Sequence, residues 1–111
     1  MSRRWIRLAP AGELPPGHAA CADVDGRAIA IFHTGAGFYA VDNDCLHMSG
    51  PLCEGVVDGT VVTCPWHAWR YDLRTGDRVD RRGSSLDVHA VEVQDGWIVV
   101  ADSVAARGGR P

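Results

Sequence analysis

Leu86-Asp87-Val88-His89-Ala90-Val91-Glu92-Val93, then Gln94-Asp95-Gly96, then Trp97-Ile98-Val99-Val100, is the stretch that decides the fold class. Apolar and polar side chains alternate before an Asp-Gly step, and a short apolar run follows it. Period-two alternation suits a half-buried strand. Asp-Gly suits a tight hairpin, because glycine accepts positive φ and aspartate tolerates it. The stretch reads as two antiparallel strands joined by a short turn.

The same rhythm extends outward along the chain. Short runs rich in Val, Ile and aromatics occur at residues 5–8, 18–24, 28–33, 38–41, 60–63 and 69–73. Such residues fit a pleated surface. Turn signals separate the runs at Asp25-Gly26, Asp58-Gly59 and Thr75-Gly76. Glu13-Leu14-Pro15-Pro16-Gly17 reads as a linker or edge turn, since two prolines break a ladder. No segment keeps a 3.6-residue apolar period for three turns, so little helix is expected. The expectation is an all-β antiparallel sandwich or barrel, one domain over residues 1–102, with residues 103–111 a frayed tail.

The chain has 111 residues, 46% of them hydrophobic, which is enough for one modest core. No apolar run approaches the roughly 20 residues that span a bilayer. Arg3 and Arg4 have no apolar segment behind them, so neither signal peptide nor membrane anchor is read, and a cytoplasmic protein is expected. There is no lysine, and residues 9–102 hold 6 arginines against 14 carboxylates, a net charge of −8. A body this acidic argues against nucleic acid, whose phosphates need a basic face. It fits either steering toward a basic patch on a protein partner or a solvated surface.

Two half-motifs carry the chemistry. Cys45-Leu46-His47 is followed, after 16 intervening residues, by Cys64-Pro65-Trp66-His67. Each half offers one thiolate and one imidazole, a donor set for zinc, copper or iron–sulfur centres rather than for calcium or magnesium. Either half alone would be weak evidence; the pair at this spacing is specific.

With these residues the sequence resembles the Rieske family, whose pattern is C-x-H, a gap of this size, then C-x-x-H. The likeness runs through His47-Met48-Ser49-Gly50-Pro51-Leu52, Gly55, Gly59 and the run from Cys64 through Trp69-Arg70-Tyr71-Asp72-Leu73-Arg74-Thr75-Gly76. The resemblance implies a Rieske fold, a β-sandwich base with a cluster-binding subdomain at about residues 43–76. It implies one 2Fe–2S cluster, with Cys45 and Cys64 on one iron and His47 and His67 on the other. It further implies a monomeric electron carrier, not itself an enzyme. Such a carrier passes single electrons from an NAD(P)H-dependent flavoprotein reductase to a terminal oxygenase. Two alternatives stand beside it: the small subunit of an assimilatory nitrite reductase, and a zinc-stabilised interaction module built on the same four ligands.

The resemblance also bears on potential. The extra cysteine pair of high-potential members is replaced by Gly50 and Trp66, and their sulfur-binding serine by Trp69. Tyr71 keeps the place of a tyrosine that donates to a ligand sulfur. These departures imply a potential in the lower part of a range of roughly −150 to +300 mV. The proline-rich cover of low-potential relatives is absent; Asp80-Arg81-Arg82-Gly83-Ser84-Ser85 stands there, and its arginines read as solvated or partner-facing.

The remaining candidates read blandly. Cys21 and Cys53 look like small hydrophobes or spare thiols, and a disulfide between them is disfavoured by a reducing compartment. His18, His33 and His89 read as surface or structural histidines. Trp69 reads as core packing and Trp66 as an exposed neighbour of the cluster. Asp44 and Asp72 read as turn residues.

Overall fold

A computed structural model describes residues 5–24, 26–35, 37–44, 50–66, 68–80 and 85–101. Within them lie ten strands: β1 (Trp5–Pro10), β2 (Ala19–Val24), β3 (Arg27–Thr34), β4 (Gly37–Asp42), β5 (Val56–Asp58), β6 (Val61–Thr63), β7 (Arg70–Asp72), β8 (Val88–His89), β9 (Val91–Gln94) and β10 (Trp97–Ala101). They form three antiparallel sheets, ordered β1-β10-β9, β2-β3-β4-β8 and β5-β6-β7. No α-helix occurs among the described residues, and no helix is long and apolar enough to cross a membrane.

The hairpin read over residues 86–100 forms only in its second half. Gln94 pairs with Trp97 across Asp95 (φ 52°) and Gly96 (φ 81°), a two-residue turn with both central φ positive. Upstream, the expected single strand is two. β8 pairs with β4, whereas β9 pairs with β10, so the chain changes sheets at Ala90. Alternation shows that a strand is half buried; it does not show which sheet it joins.

The middle sheet explains the least alternating run. Ile29 and Ile31 of β3 pack with Leu14, Val24, Ala40, Ile98 and Val100. Ala30 and Phe32 point the other way, into Val41, Leu52, Val62, Cys64, Tyr71, Leu73 and Leu86. A strand covered on both faces reads as continuously apolar. Each fully buried large side chain here, such as Phe32, contributes about 1.5–3 kcal/mol of transfer free energy. The first core joins the middle sheet to the β1-β10-β9 sheet; the second joins it to the β5-β6-β7 sheet, which leads into the second half-motif.

Two features depart from the sequence reading. β5 lies in a stretch where no strand is expected, because Val56 is exposed and the run is only three residues long. The Leu14-Pro15-Pro16-Gly17 segment is more than a linker: Leu14 is buried, and its carbonyl lies 2.6 Å from His33 Nδ1.

The third departure is a correction. Cys21 and Cys53 form a disulfide, with Cα atoms 5.5 Å apart, inside the usual 4.4–6.8 Å for such bonds. Compartment sets redox conditions but not which residues lie side by side. Cys53 sits in a 3₁₀ turn, Leu52–Glu54, whose Leu52 is buried in the second core, and that packing brings the turn against β2.

Candidate functional site

The second half-motif begins where β6 ends. Val62 pairs with Tyr71 and Thr63 with Arg70, and the Cys64 amide then donates to the Trp69 carbonyl at 2.8 Å. The loop is thereby closed on itself from 64 to 69. Ala68 takes φ 60°, a left-handed conformation uncommon for a residue with a Cβ. Cys64 is buried, packed with Leu52, Val62, Tyr71 and Leu73. The Trp66 amide nitrogen lies 3.4 Å from Cys64 Sγ, a donor aimed at the sulfur.

The first half-motif leaves from and returns to a narrow neck. Asp44 bridges to Pro51, and the Leu52 amide donates to the Asn43 carbonyl at 2.8 Å. The side-chain oxygen of buried Asn43 accepts from the Cys53 amide at 2.8 Å, while the Asn43 backbone N–H donates to the Ala28 carbonyl at 3.0 Å. Asn43 was not singled out in the sequence; its only signal is its place two residues before Cys45.

The two loops meet at Gly50. A Cβ there would lie 2.8 Å from Cys64 Sγ and 3.1–3.2 Å from the Trp66 side chain. The backbone leaving the first half-motif therefore lies against the sulfur of the second, which is why position 50 must lack a side chain. Of the four expected ligands, Cys64 is placed in this way. Cys45, His47 and His67 lie outside the described residues, as do Arg81 and Arg82 and residues 103–111. A buried thiol, a backbone donor aimed at it and a glycine cradle beside it fit a group bonded through Cys64 between two loops.

Behind the neck lies a charged cluster. Arg27 donates to both Asp42 oxygens (2.9 and 2.7 Å) and to Asp87 at 2.7 Å. Buried His89 places Nε2 2.8 Å from Asp42 Oδ1. A carboxylate only accepts, so Nε2 carries the proton. Burial alone pushes the Asp42 carboxyl up, but the hydrogen bonds from His89 and Arg27 outweigh it and hold the group below its ordinary 3.8. His89 is thus a structural histidine, as its setting in a strand suggests.

On the other side, Trp69 is half-buried against the second core, and the Arg78 guanidinium lies 3.3 Å from its ring centroid. Asp80 accepts from Arg78 Nε at 2.8 Å, and that bond keeps the exposed carboxyl below its usual value. Trp66, by contrast, is 48% exposed beside Cys64. Both tryptophans stand as their sequence context suggests. Asp72 caps its own turn, accepting from the Arg74 amide at 2.9 Å.

The Rieske [2Fe-2S] domain matches residues 4–93. The ferredoxin CarAc of Metapseudomonas resinovorans is 32% identical over 103 residues, which cover 91% of this chain and 96% of that protein. A chain in the complex of reduced oxygenase and oxidized ferredoxin in carbazole 1,9a-dioxygenase superposes with a TM-score of 0.82 at 31% identity, covering 88% of this chain and 93% of that one. A putative NADH-dependent nitrite reductase small subunit from Mycobacterium tuberculosis shares the fold, with a TM-score of 0.83 at 24% identity over 91% of this chain and 96% of its own.

Proposed function

Because the chain belongs to the Rieske [2Fe-2S] domain family, we propose that it is the ferredoxin of a multicomponent oxygenase, with Cys45, His47, Cys64 and His67 holding its cluster. The chain is an electron carrier with one Rieske-type cluster and not a catalyst in itself. Its proposed donor is an NAD(P)H-dependent flavoprotein reductase and its acceptor a terminal oxygenase. The carbazole complex, in which a ferredoxin sits with its oxygenase, supports the acceptor. Residues 43–76 are the proposed cluster-binding subdomain, in a monomer that works in the cytoplasm.

The observation that carries this reading is the contact at Gly50, which sets the neck of one half-motif against the buried sulfur of the other. Bound there, the cluster supplies a one-electron couple whose potential two neutral imidazoles raise above that of an all-thiolate centre. The protein's own part is electrostatic and steric. The Trp66 N–H faces Cys64 Sγ and stabilises negative charge on it. Leu52, Tyr71 and Leu73 close the inner side to water. Exposed Trp66 offers an apolar contact at the outer side, where a partner must approach for electrons to pass. The proposed potential is in the lower part of the range of roughly −150 to +300 mV.

Fold likeness alone supports a nitrite reductase small subunit, whereas identity above 30% falls to oxygenase ferredoxins. Family membership sets aside the zinc module. The test is anaerobic purification, with iron and acid-labile sulfide counted per chain and a spectrum taken after reduction. Two irons, two sulfides and a rhombic EPR signal are expected, all lost in His47→Ala and His67→Ala. Reduction by a flavoprotein reductase and re-oxidation by an oxygenase then test the partners. A colourless protein with one zinc would refute the reading.

A further inference from the structure

We propose that Cys21 and Cys53 are a second redox site, a dithiol–disulfide couple that latches the neck of the first half-motif to edge strand β2. Three observations converge on it. The two cysteines are 32 residues apart in sequence, yet their Cα atoms stand 5.5 Å apart and the side chains are bonded. Cys53 lies in the turn whose Leu52 and Cys53 amides both donate to Asn43, the residue from which the first half-motif loop departs. Cys21 is exposed on β2, which among the described residues has a partner strand on one side only.

This arrangement gives the bond an exposed end and an inner end. A thiolate attacking Cys21 Sγ forms a mixed disulfide and releases the electron pair to Cys53, which leaves as a thiolate and takes a proton. A second thiol of the reductant then displaces Cys21 in the same way. One disulfide of the reductant is formed for each Cys21–Cys53 bond broken, with two electrons and two protons transferred. A dithiol supplies both equivalents; a disulfide such as oxidised glutathione reverses the exchange. The opened pair keeps a polar neighbour, since Cys21 Sγ lies 3.9 Å from Asn43 Oδ1, which can accept its S–H. A disulfide that persists in a thiol-buffered compartment is unusual; one that opens and closes there is the commoner kind.

The latch acts on the cluster loop through position. When closed, the neck is tied covalently to β2 and β2 in turn to β3 by the ladder from Ala19–Phe32 to Val24–Arg27. When open, only noncovalent contacts among the described residues hold it, including the Asn43 hydrogen bonds, the Asp44–Pro51 bridge and the packing of Leu52. Opening therefore loosens the segment that presents Cys45 and His47, and a cluster held there is lost faster. That consequence rests on the ligand assignment proposed above; the couple itself does not.

The experiment uses the intact holoprotein, equilibrated with oxidised glutathione or with dithiothreitol, then alkylated in acid-released, denatured form and mapped by mass spectrometry. The chain has 4 cysteines, so the oxidised sample is expected to alkylate at two and to yield a Cys21–Cys53 linked peptide. The reduced sample is expected to alkylate at all four, reversibly. Bleaching of the visible absorbance by a chelator is expected to run severalfold faster in the reduced protein, and equally fast with either reagent in Cys21→Ser and in Cys53→Ser. Four alkylated cysteines after oxidised glutathione, or a linkage through Cys45 or Cys64 instead, overturns the couple. An unchanged bleaching rate on reduction overturns the latch. A chain without iron or sulfide refutes the proposed function, while the linked peptide still decides whether the couple exists.

Discussion

At the scale of single residues, Gly50 is the constrained position that bears on the site. Its missing Cβ is the space between Cys64 Sγ and the Trp66 side chain, and neither neighbour is the far end of a flexible group. Gly50→Ala is expected to push the loops apart, destabilise the fold by about 1–3 kcal/mol, and lower the iron content per chain. Iron analysis alongside thermal melting checks this; full iron loading with an unchanged melting point would remove the cradle from the site. Tyr71 makes a different contribution. It is wholly buried in the core that holds Cys64. The family resemblance assigns its hydroxyl to a ligand sulfur, where it would favour the more negative, reduced state. Tyr71→Phe is therefore expected to lower the midpoint potential, read in a redox titration. An unchanged potential would discard that hydrogen bond.

At the scale of elements, β4 hands the chain from the sandwich to the first half-motif, and its last residue, Asp42, is fixed by His89 and Arg27. Because the folded Asp42 carboxyl titrates below its ordinary 3.8, its contribution to stability is present in full above that pH. It is lost as pH falls through the lower folded value. Melting temperature followed from pH 7 downward is expected to drop below about pH 4, more steeply in the parent than in Asp42→Asn, which has no carboxylate to protonate. A slope equal in both would show that the pair contributes nothing to acid stability. At neutral pH the same substitution is expected to cost about 1–3 kcal/mol, since it weakens charge-assisted bonds around buried His89. Turns and strand rhythm at this scale were legible in the sequence: Asp95-Gly96 sits where its backbone preference places it. The sheet change at Ala90 was not, because both flanking strands alternate alike and only tertiary packing separates them. The Cys21–Cys53 proximity was hidden for a related reason, since it depends on how a 3₁₀ turn packs on a strand 32 residues away. The half-motifs were conspicuous by spacing, yet the Asn43 clamp at the base of the first was not, because an isolated asparagine has no periodic or paired signal.

At the scale of the whole molecule, charge and exposure predict separate contributions to the proposed encounter with an oxygenase. Residues 9–102 carry a net −8 within a chain of net −3, and such an acidic field would raise encounter rates with a basic surface, screened over about 8–10 Å at physiological salt. Trp66 is a short-range feature: nearly half exposed, apolar, and beside the sulfur of Cys64. Aromatic anchors at the centre of an interface contribute mainly to the lifetime of the complex, while distant charges contribute mainly to its formation. The two should separate in stopped-flow measurements of electron delivery from reduced carrier to an oxygenase. Raising ionic strength is expected to lower the second-order rate of the parent and of Trp66→Ala by the same factor, because both carry the same charge. Trp66→Ala is expected to lower the saturated transfer rate or weaken the complex at every salt concentration, with the midpoint potential unchanged. If the tryptophan substitution altered only the salt dependence, Trp66 would be acting through the field and not by contact. If salt left the parent's rate unchanged, the acidic body would be a solvated surface with no part in steering.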